Sequence, residues 1–333
     1  MKYREFGRTG LEVSELVFGG GAVGGLLVNA DDDTKLEALR RALAGGINWI
    51  DTAPRYGQGR SETALGWLLG EVEETPYLST KVRIDIGDLS DLSGQIERSL
   101  TESFGRLKRD SVDLVQLHNP IHAETGGGAA IASGSALGID AVLGKDGVAA
   151  GLERLRDQGL TRFIGLTALG EAGPICEAIR SGRFDSAQVY HNLINPTAAH
   201  AMPEGFSGQD FAGVIAACKA VGAAVMNIRI FAAGILATDT RHGRESALTL
   251  GSDIEIEEKR TQAVFEALGD SYGSRAQTAL RFGLANPDVA CVVFGLAELT
   301  HLDDALAAAE MGPLPQEALD QLKTVHTAVF GRL

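Results

Sequence analysis

Cysteine is scarce in this chain. Only Cys176, Cys218 and Cys291 occur among 333 residues, and no CxxC pair is present. Three widely spaced cysteines in apolar helix or strand patterns exclude a disulfide framework and a thiolate metal cluster. They point to reduced, buried thiols and a cytoplasmic setting. Positive charge is also short: 30 Lys and Arg against 44 Asp and Glu give a net charge of −14, with no Lys/Arg-rich run. Phosphate-rich surfaces repel such a chain, so neither nucleic acid nor an anionic membrane is expected as a partner. Long hydrophobic runs are missing too. The stretch from Leu16 to Val28 is broken by glycines and too short to span a bilayer. The opening MKYREFGRTG has no apolar core of the secretory kind, so no leader is expected. What remains is ordinary for a folded protein: 44% hydrophobic and 22% charged residues, enough to bury a large core.

Short apolar runs alternate with amphipathic ones. The expected strands are Leu16–Gly19, Ile47–Ile50, Tyr77–Thr80, Val112–Leu117, Arg162–Leu166, Ser186–Val189, Ala223–Ile228 and Val289–Val293. Between them lie helix patterns. The first, Thr34–Ala44, opens behind Asp31–Asp33 and stops at Gly45-Gly46. A last helix, Gln316–Val329, follows Pro313 and Pro315 and has no strand after it. Strand–helix alternation indicates a parallel sheet. Eight units without a linker favour one closed α/β barrel, a (β/α)₈ TIM barrel, over residues 1–333. Lys2–Val13 reads as an N-terminal β-hairpin closing the barrel bottom. Two long loops, Asn119–Lys145 and Ala237–Glu255, read as structureless and lie on the C-terminal face, where such barrels carry function.

Polar residues close several of these apolar strands. Asp51 ends the second, Lys81 the third, His118 the fourth and Thr167 the fifth, and Gln188 lies near the end of the sixth. In a barrel these positions converge on one mouth, where burial is costly without partners. Tyr56 follows Asp51 in the loop Thr52-Ala53-Pro54-Arg55-Tyr56-Gly57, whose Pro and Gly fix a turn. A phenol, an ammonium, a carboxylate and an imidazole in a dry pocket make a proton-transfer site, because an adjacent ammonium favours phenolate. Each residue alone has a blander reading. Tyr56 and His118 could be packing residues, and Lys81 a surface lysine. His118 and His122 are spaced like metal ligands, but Pro120 keeps one helix from presenting both, and no metal is expected. Gly19-x-Gly21-x-x-Gly24 matches a dinucleotide fingerprint. The next helix is expected only near Asp33, too late for a Rossmann unit.

The segments Gly46–Gly57, Ser79-Thr80-Lys81, Val112–His118, Gly159–Gly165 and Gly7–Ser14 together resemble the aldo-keto reductase family, in order, from about residue 3 to about 310. The resemblance implies a (β/α)₈ barrel and a catalytic tetrad at Asp51, Tyr56, Lys81 and His118. It further implies Tyr56 as general acid in carbonyl reduction and a nicotinamide cofactor, NAD or NADP. The cofactor positions it suggests are Gly20, Asp51, Thr167, Gln188, Arg229, Phe231, Gly295 and His301. Thr167-Ala168 stands where the family usually has Ser-Asn, keeping the hydroxyl and losing the amide. After the seventh strand the chain reads Asn227-Ile228-Arg229-Ile230-Phe231, departing from the family's usual aromatic stacking position, with Arg229 placed for pyrophosphate. Gly295–Asp304 holds three acids and no Lys or Arg, whereas NADP-preferring members place a cation there. NAD is therefore the favoured cofactor. The implied activity is hydride exchange with an aldehyde, ketone or aldose, as in bacterial sugar or pyridoxal dehydrogenases. The alternative is a cofactor-sensing regulatory or binding protein on the same barrel.

Overall fold

The computed structural model describes every residue except 22, 128–134 and 241–252. Eight parallel strands close into a barrel, each pairing with its neighbours in chain order. We label them β1 (Leu16–Gly19), β2 (Trp49–Asp51), β3 (Tyr77–Val82), β4 (Val112–Leu117), β5 (Thr161–Ala168), β6 (Ser186–Tyr190), β7 (Ala224–Ile228) and β8 (Cys291–Gly295). Closure is made by β8 on β1, with Val292 opposite Leu16 and Gly295 opposite Gly19. Helices separate the strands and cover the outside.

The N-terminal hairpin forms as expected, Tyr3–Glu5 pairing antiparallel with Glu12–Ser14. It plugs the bottom by apolar burial. Phe6 is fully buried, with its ring 4.7 Å from that of Trp49, and shares a cluster with Val13, Val17, Leu114, Met226 and Cys291. Arg4 donates to the carbonyls of Leu284, Asn286 and Val289, and Arg8 to those of Gly182, Phe184 and Val221. Those carbonyls follow or end helices, where backbone acceptors lack intrahelical partners, so the two guanidiniums fasten the plug to the barrel.

Strand periodicity divides each wall into an inner and an outer face. On β3, Ser79 and Lys81 point inward, while the hydroxyl of Thr80 donates outward to Glu62 at 2.6 Å. The interior is thus apolar near the plug and polar toward the mouth.

Three expectations need correction. Asn119–Lys145 is not structureless: Ile121–His122 pairs in parallel with Leu137–Gly138, and a helix covers Ile139–Leu143. The buried Asn119 amide organises this segment, bonding both backbone ends of Ile84 and the carbonyl of Ser135. The rest of the loop expectation, on residues 128–134 and 241–252, lies outside the described residues. A one-turn helix, Leu26–Asn29, starts directly after the glycine motif instead of near Asp33. Gly25, at φ 76°, opens it, and burial of Leu26, Leu27 and Val28 holds it. The β2 strand runs to Asp51, past the expected Ile50, because the Gly20 amide donates to the Asp51 carbonyl.

Candidate active site

Asp51 is the centre of the polar layer. Its side chain is almost wholly buried and accepts four hydrogen bonds. The Lys81 ammonium donates to Oδ2 at 2.6 Å. The Ser79 hydroxyl (2.7 Å), the Gln188 amide (2.9 Å) and the Gln116 amide (3.2 Å) donate to Oδ1. The register explains the convergence: Ser79 pairs with Asp51, Gln116 with Lys81, and Gln188 with Thr167. A buried charge without a partner is costly, and here each charge has its counterion plus neutral donors or acceptors.

Lys81 also donates to the Thr52 carbonyl at 2.9 Å. Its side chain is fully buried. Burial alone would push its pKa down, but Asp51 and then Tyr56 outweigh burial and raise it. The lysine is therefore a fixed cation. Its nitrogen lies 4.9 Å from the centroid of the Tyr56 ring.

The turn that carries Tyr56 is built locally. The Tyr56 amide donates to the Ala53 carbonyl, and the Ser61 amide donates to the Tyr56 carbonyl. Gly57 and Gly59 take left-handed φ values of 61° and 87°. A Cβ on Gly57 would meet the Val28 side chain at 2.6 Å, so the loop packs against the one-turn helix. This returns the ring to the mouth, where it meets His118 edge-on, centroids 5.9 Å apart.

His118 directly follows β4, its amide bonded to the Val82 carbonyl. Burial, followed by the charges of Lys81, Arg83, Arg229 and Arg55, holds its pKa well below the usual imidazole range. The ring is neutral at physiological pH and can donate one hydrogen bond while accepting another. Its Nδ1 is buried without a hydrogen-bond partner.

The structure thus brings Asp51, Tyr56, Lys81 and His118 together at one mouth. The remaining sequence-derived positions are more dispersed in role. Thr167 is buried near the end of β5 with its hydroxyl unpartnered. Gln188 is engaged with Asp51. Arg229 follows β7 at φ 60°, with Nη1 buried and unpartnered, and burial lowers its pKa. Phe231 is a half-buried side chain packed on the apolar core. Gly20 uses both backbone groups internally, donating to Asp51 and accepting from the Ser61 hydroxyl. Gly295 ends β8 beside Gly24, where an added Cβ would lie 2.5 Å from the Leu296 nitrogen. His301 is exposed, and its Nδ1 accepts from the Ala297 amide at 3.2 Å.

Sequence reasoning missed Ser79 and Gln116, the further donors to Asp51. Inward periodicity on β3 and β4 was the available signal. It also missed Arg83, level with His118 across the β3–β4 pair, since Val82 pairs with Leu117. Among the described residues no cluster of His, Cys, Asp or Glu could hold a metal, and no helix is long and apolar enough to cross a membrane. The three cysteines are free and buried.

Comparison with known proteins agrees with this fold. The chain is 25% identical to the L-galactose dehydrogenase of Arabidopsis thaliana over 333 residues, covering 98% of this chain and 94% of that protein. It is 28% identical to a D-threo-aldose 1-dehydrogenase of a Pseudomonas species over 236 residues, covering 62% and 66%. The holo form of the aldo-keto reductase AKR11C1 from Bacillus halodurans superposes with a TM-score of 0.74, at 22% identity, covering 99% of this chain and 97% of that one, and shares the fold. The model of the Aldo/keto reductase family matches residues 15–326. With that span matched, the chain belongs to the aldo/keto reductase family of oxidoreductases.

Proposed function

We propose that the protein interconverts a carbonyl and an alcohol with NAD(P), Tyr56 giving or taking the proton. The observation that carries this reading is the fixed, buried Lys81–Asp51 pair beneath the Tyr56 ring. A cation held there stabilises negative charge developing on the tyrosine oxygen as it gives up its proton. Asp51 keeps the lysine charged and in place. His118, neutral, donates a hydrogen bond to the substrate oxygen and orients it. In the oxidative direction Tyr56 takes the hydroxyl proton of the alcohol, while a nicotinamide, when bound, would take up the carbon-bound hydride.

The residues fit a nicotinamide dinucleotide. The Thr167 hydroxyl and Arg229 Nη1 are buried polar atoms lacking partners at the strand ends, suited to a carboxamide and a pyrophosphate. A bound nicotinamide would supply or accept the hydride. Gly295, Gly20 and His301 offer backbone approach and an imidazole along the same rim, and Phe231 an apolar wall. NAD is the preferred form in this reading. The described stretch from Leu296 to Thr300 presents the exposed Glu298 and no cation, and Asp303 is paired with Arg41 at 3.4 Å. A 2′-phosphate finds repulsion there. Aldehydes, ketones and aldoses are the substrate classes in this reading, in line with the sugar dehydrogenases among the relatives. The test is a screen of sugars, aldehydes and alcohols by the absorbance of reduced nicotinamide. Turnover dependent on one of these classes supports the reading; cofactor binding without turnover of any class overturns it.

A further inference from the structure

The carboxylate at the centre of the mouth is wired to the plug at the bottom of the barrel. Side chains two residues apart on a strand share a face, and register sets Trp49 and Asp51 of β2 opposite Tyr77 and Ser79 of β3. The Trp49 ring is fully buried against the plug, 4.7 Å from the ring of Phe6 and 5.5 Å from that of Tyr77. Its Nε1 reaches out of that apolar cluster and donates to the Ser79 hydroxyl at 3.0 Å. Ser79 in turn donates to Asp51 Oδ1 at 2.7 Å.

The direction of both bonds is fixed by chemistry. An indole N–H only donates, and a carboxylate only accepts. With the indole proton on its oxygen, the Ser79 hydroxyl turns its single proton to Asp51. The two bonds run head to tail, an arrangement in which each polarises the next. The torsion that turns an aspartate carboxylate is broad, so the plane of Asp51 is set by its partners. Oδ1 takes the neutral donors Ser79, Gln188 and Gln116, and the Ser79 bond is the shortest of them. Oδ2 is left to the Lys81 ammonium at 2.6 Å, whose nitrogen stands 4.9 Å from the centroid of the Tyr56 ring. The backbone of Ser79 acts in the same sense. Its carbonyl accepts from the Thr52 amide at 2.9 Å, and the Thr52 carbonyl accepts from Lys81.

We propose that Trp49 and Ser79 are positioning residues for proton transfer. The indole orients the Ser79 hydroxyl, the hydroxyl sets the plane of the Asp51 carboxylate, and the carboxylate holds the Lys81 ammonium beneath Tyr56. This rests on the oxidoreductase reading for its effect on turnover, and on the hydrogen bonds alone for its effect on Lys81.

The test compares Ser79→Ala, Ser79→Thr, Trp49→Phe and the double variant Trp49→Phe/Ser79→Ala, each shown to be folded by circular dichroism. Rates are taken with the best of the sugars, aldehydes and alcohols screened. Ser79→Ala should lower kcat by about tenfold, the effect of one hydrogen bond, with KM within about twofold. Ser79→Thr keeps the hydroxyl and should hold kcat within about threefold of the unaltered protein. Trp49→Phe should lower kcat by about threefold, but by less than about twofold in the Ser79→Ala background, because the indole acts only through the hydroxyl. If Trp49→Phe loosens the plug enough to unfold the chain, benzothienylalanine in place of both tryptophans keeps the ring's shape without its N–H. A second readout needs no turnover: the ¹⁵N signal of the Lys81 ammonium, slow to exchange because that side chain is fully buried. It should move in Ser79→Ala and in Trp49→Phe, and stay near its place in Ser79→Thr. An unchanged kcat in Ser79→Ala, losses that multiply in the double variant, or a Lys81 signal that stays put in either single variant overturns the proposal. A Lys81 signal that moves in both, with no substrate class turned over, supports the positioning and sinks the oxidoreductase reading instead.

Discussion

Removing one charge of the Lys81–Asp51 pair should cost more than removing both. The pair is 2.6 Å apart, with side-chain exposures of 0% and 3%. In Lys81→Met the carboxylate keeps Ser79, Gln188 and Gln116 as donors but loses its counterion. In Asp51→Asn the ammonium loses its counterion and keeps only neutral acceptors, the Thr52 carbonyl among them. Stranding either ion in the interior costs about 3–5 kcal/mol, a large part of a typical stability of roughly 5–15 kcal/mol. The double variant Asp51→Asn/Lys81→Met removes both desolvation penalties and leaves neutral groups of similar volume. Its cost should fall short of the sum of the singles by about 2 kcal/mol or more. Equilibrium urea unfolding at neutral pH, followed by circular dichroism, measures all three. Additivity within about 0.5 kcal/mol would refute the reasoning. The pH dependence has a definite sign. Lys81 has a folded pKa above its ordinary 10.5, so its contribution is complete below that value and lost as pH rises through the folded pKa.

Other expectations follow from single sites. His191 is buried, its pKa pushed down to about 3 by burial and then by His200 and His326. The unfolded chain takes up that proton near 6.5, so stability is complete above 6.5 and falls toward pH 3, by up to about 1.4 kcal/mol per unit. His191→Gln should flatten that slope in unfolding curves taken between pH 6.5 and 4. Gly24→Ala would set a Cβ 2.5 Å from the Leu296 nitrogen and 2.6 Å from its oxygen, so it should destabilise by about 1–3 kcal/mol in thermal melts. NAD should show a lower Michaelis constant than NADP, and Glu298→Lys should narrow the difference. Steady-state kinetics with both cofactors checks this, and no narrowing would count against the assignment of that stretch.

The barrel was legible because its strands are apolar runs bounded by helix patterns, and all eight appear within a few residues of their expected places. The tetrad was legible for a related reason: a polar residue ending an apolar strand needs a partner, and Asp51 and Lys81 are partners. Pairing across strands was not legible. Ser79 and Gln116 support Asp51 through register, which a single sequence does not encode locally. Arg83 looks like a surface residue until β3 and β4 are aligned. The ordered part of the loop after β4 was hidden because Asn119, a residue that usually signals a turn, instead bonds both ends of Ile84. The glycine motif, set aside as a dinucleotide fingerprint, serves close packing: a Cβ on Gly19 would meet the Phe294 carbonyl oxygen at 2.6 Å.

The most direct test is Tyr56→Phe, assayed for both turnover and cofactor affinity. The phenyl ring keeps its packing against His118 and loses only the hydroxyl. If Tyr56 handles the proton, turnover should fall by about a hundredfold or more while cofactor affinity stays within about twofold. Turnover that survives the substitution unchanged would contradict a proton path through this residue.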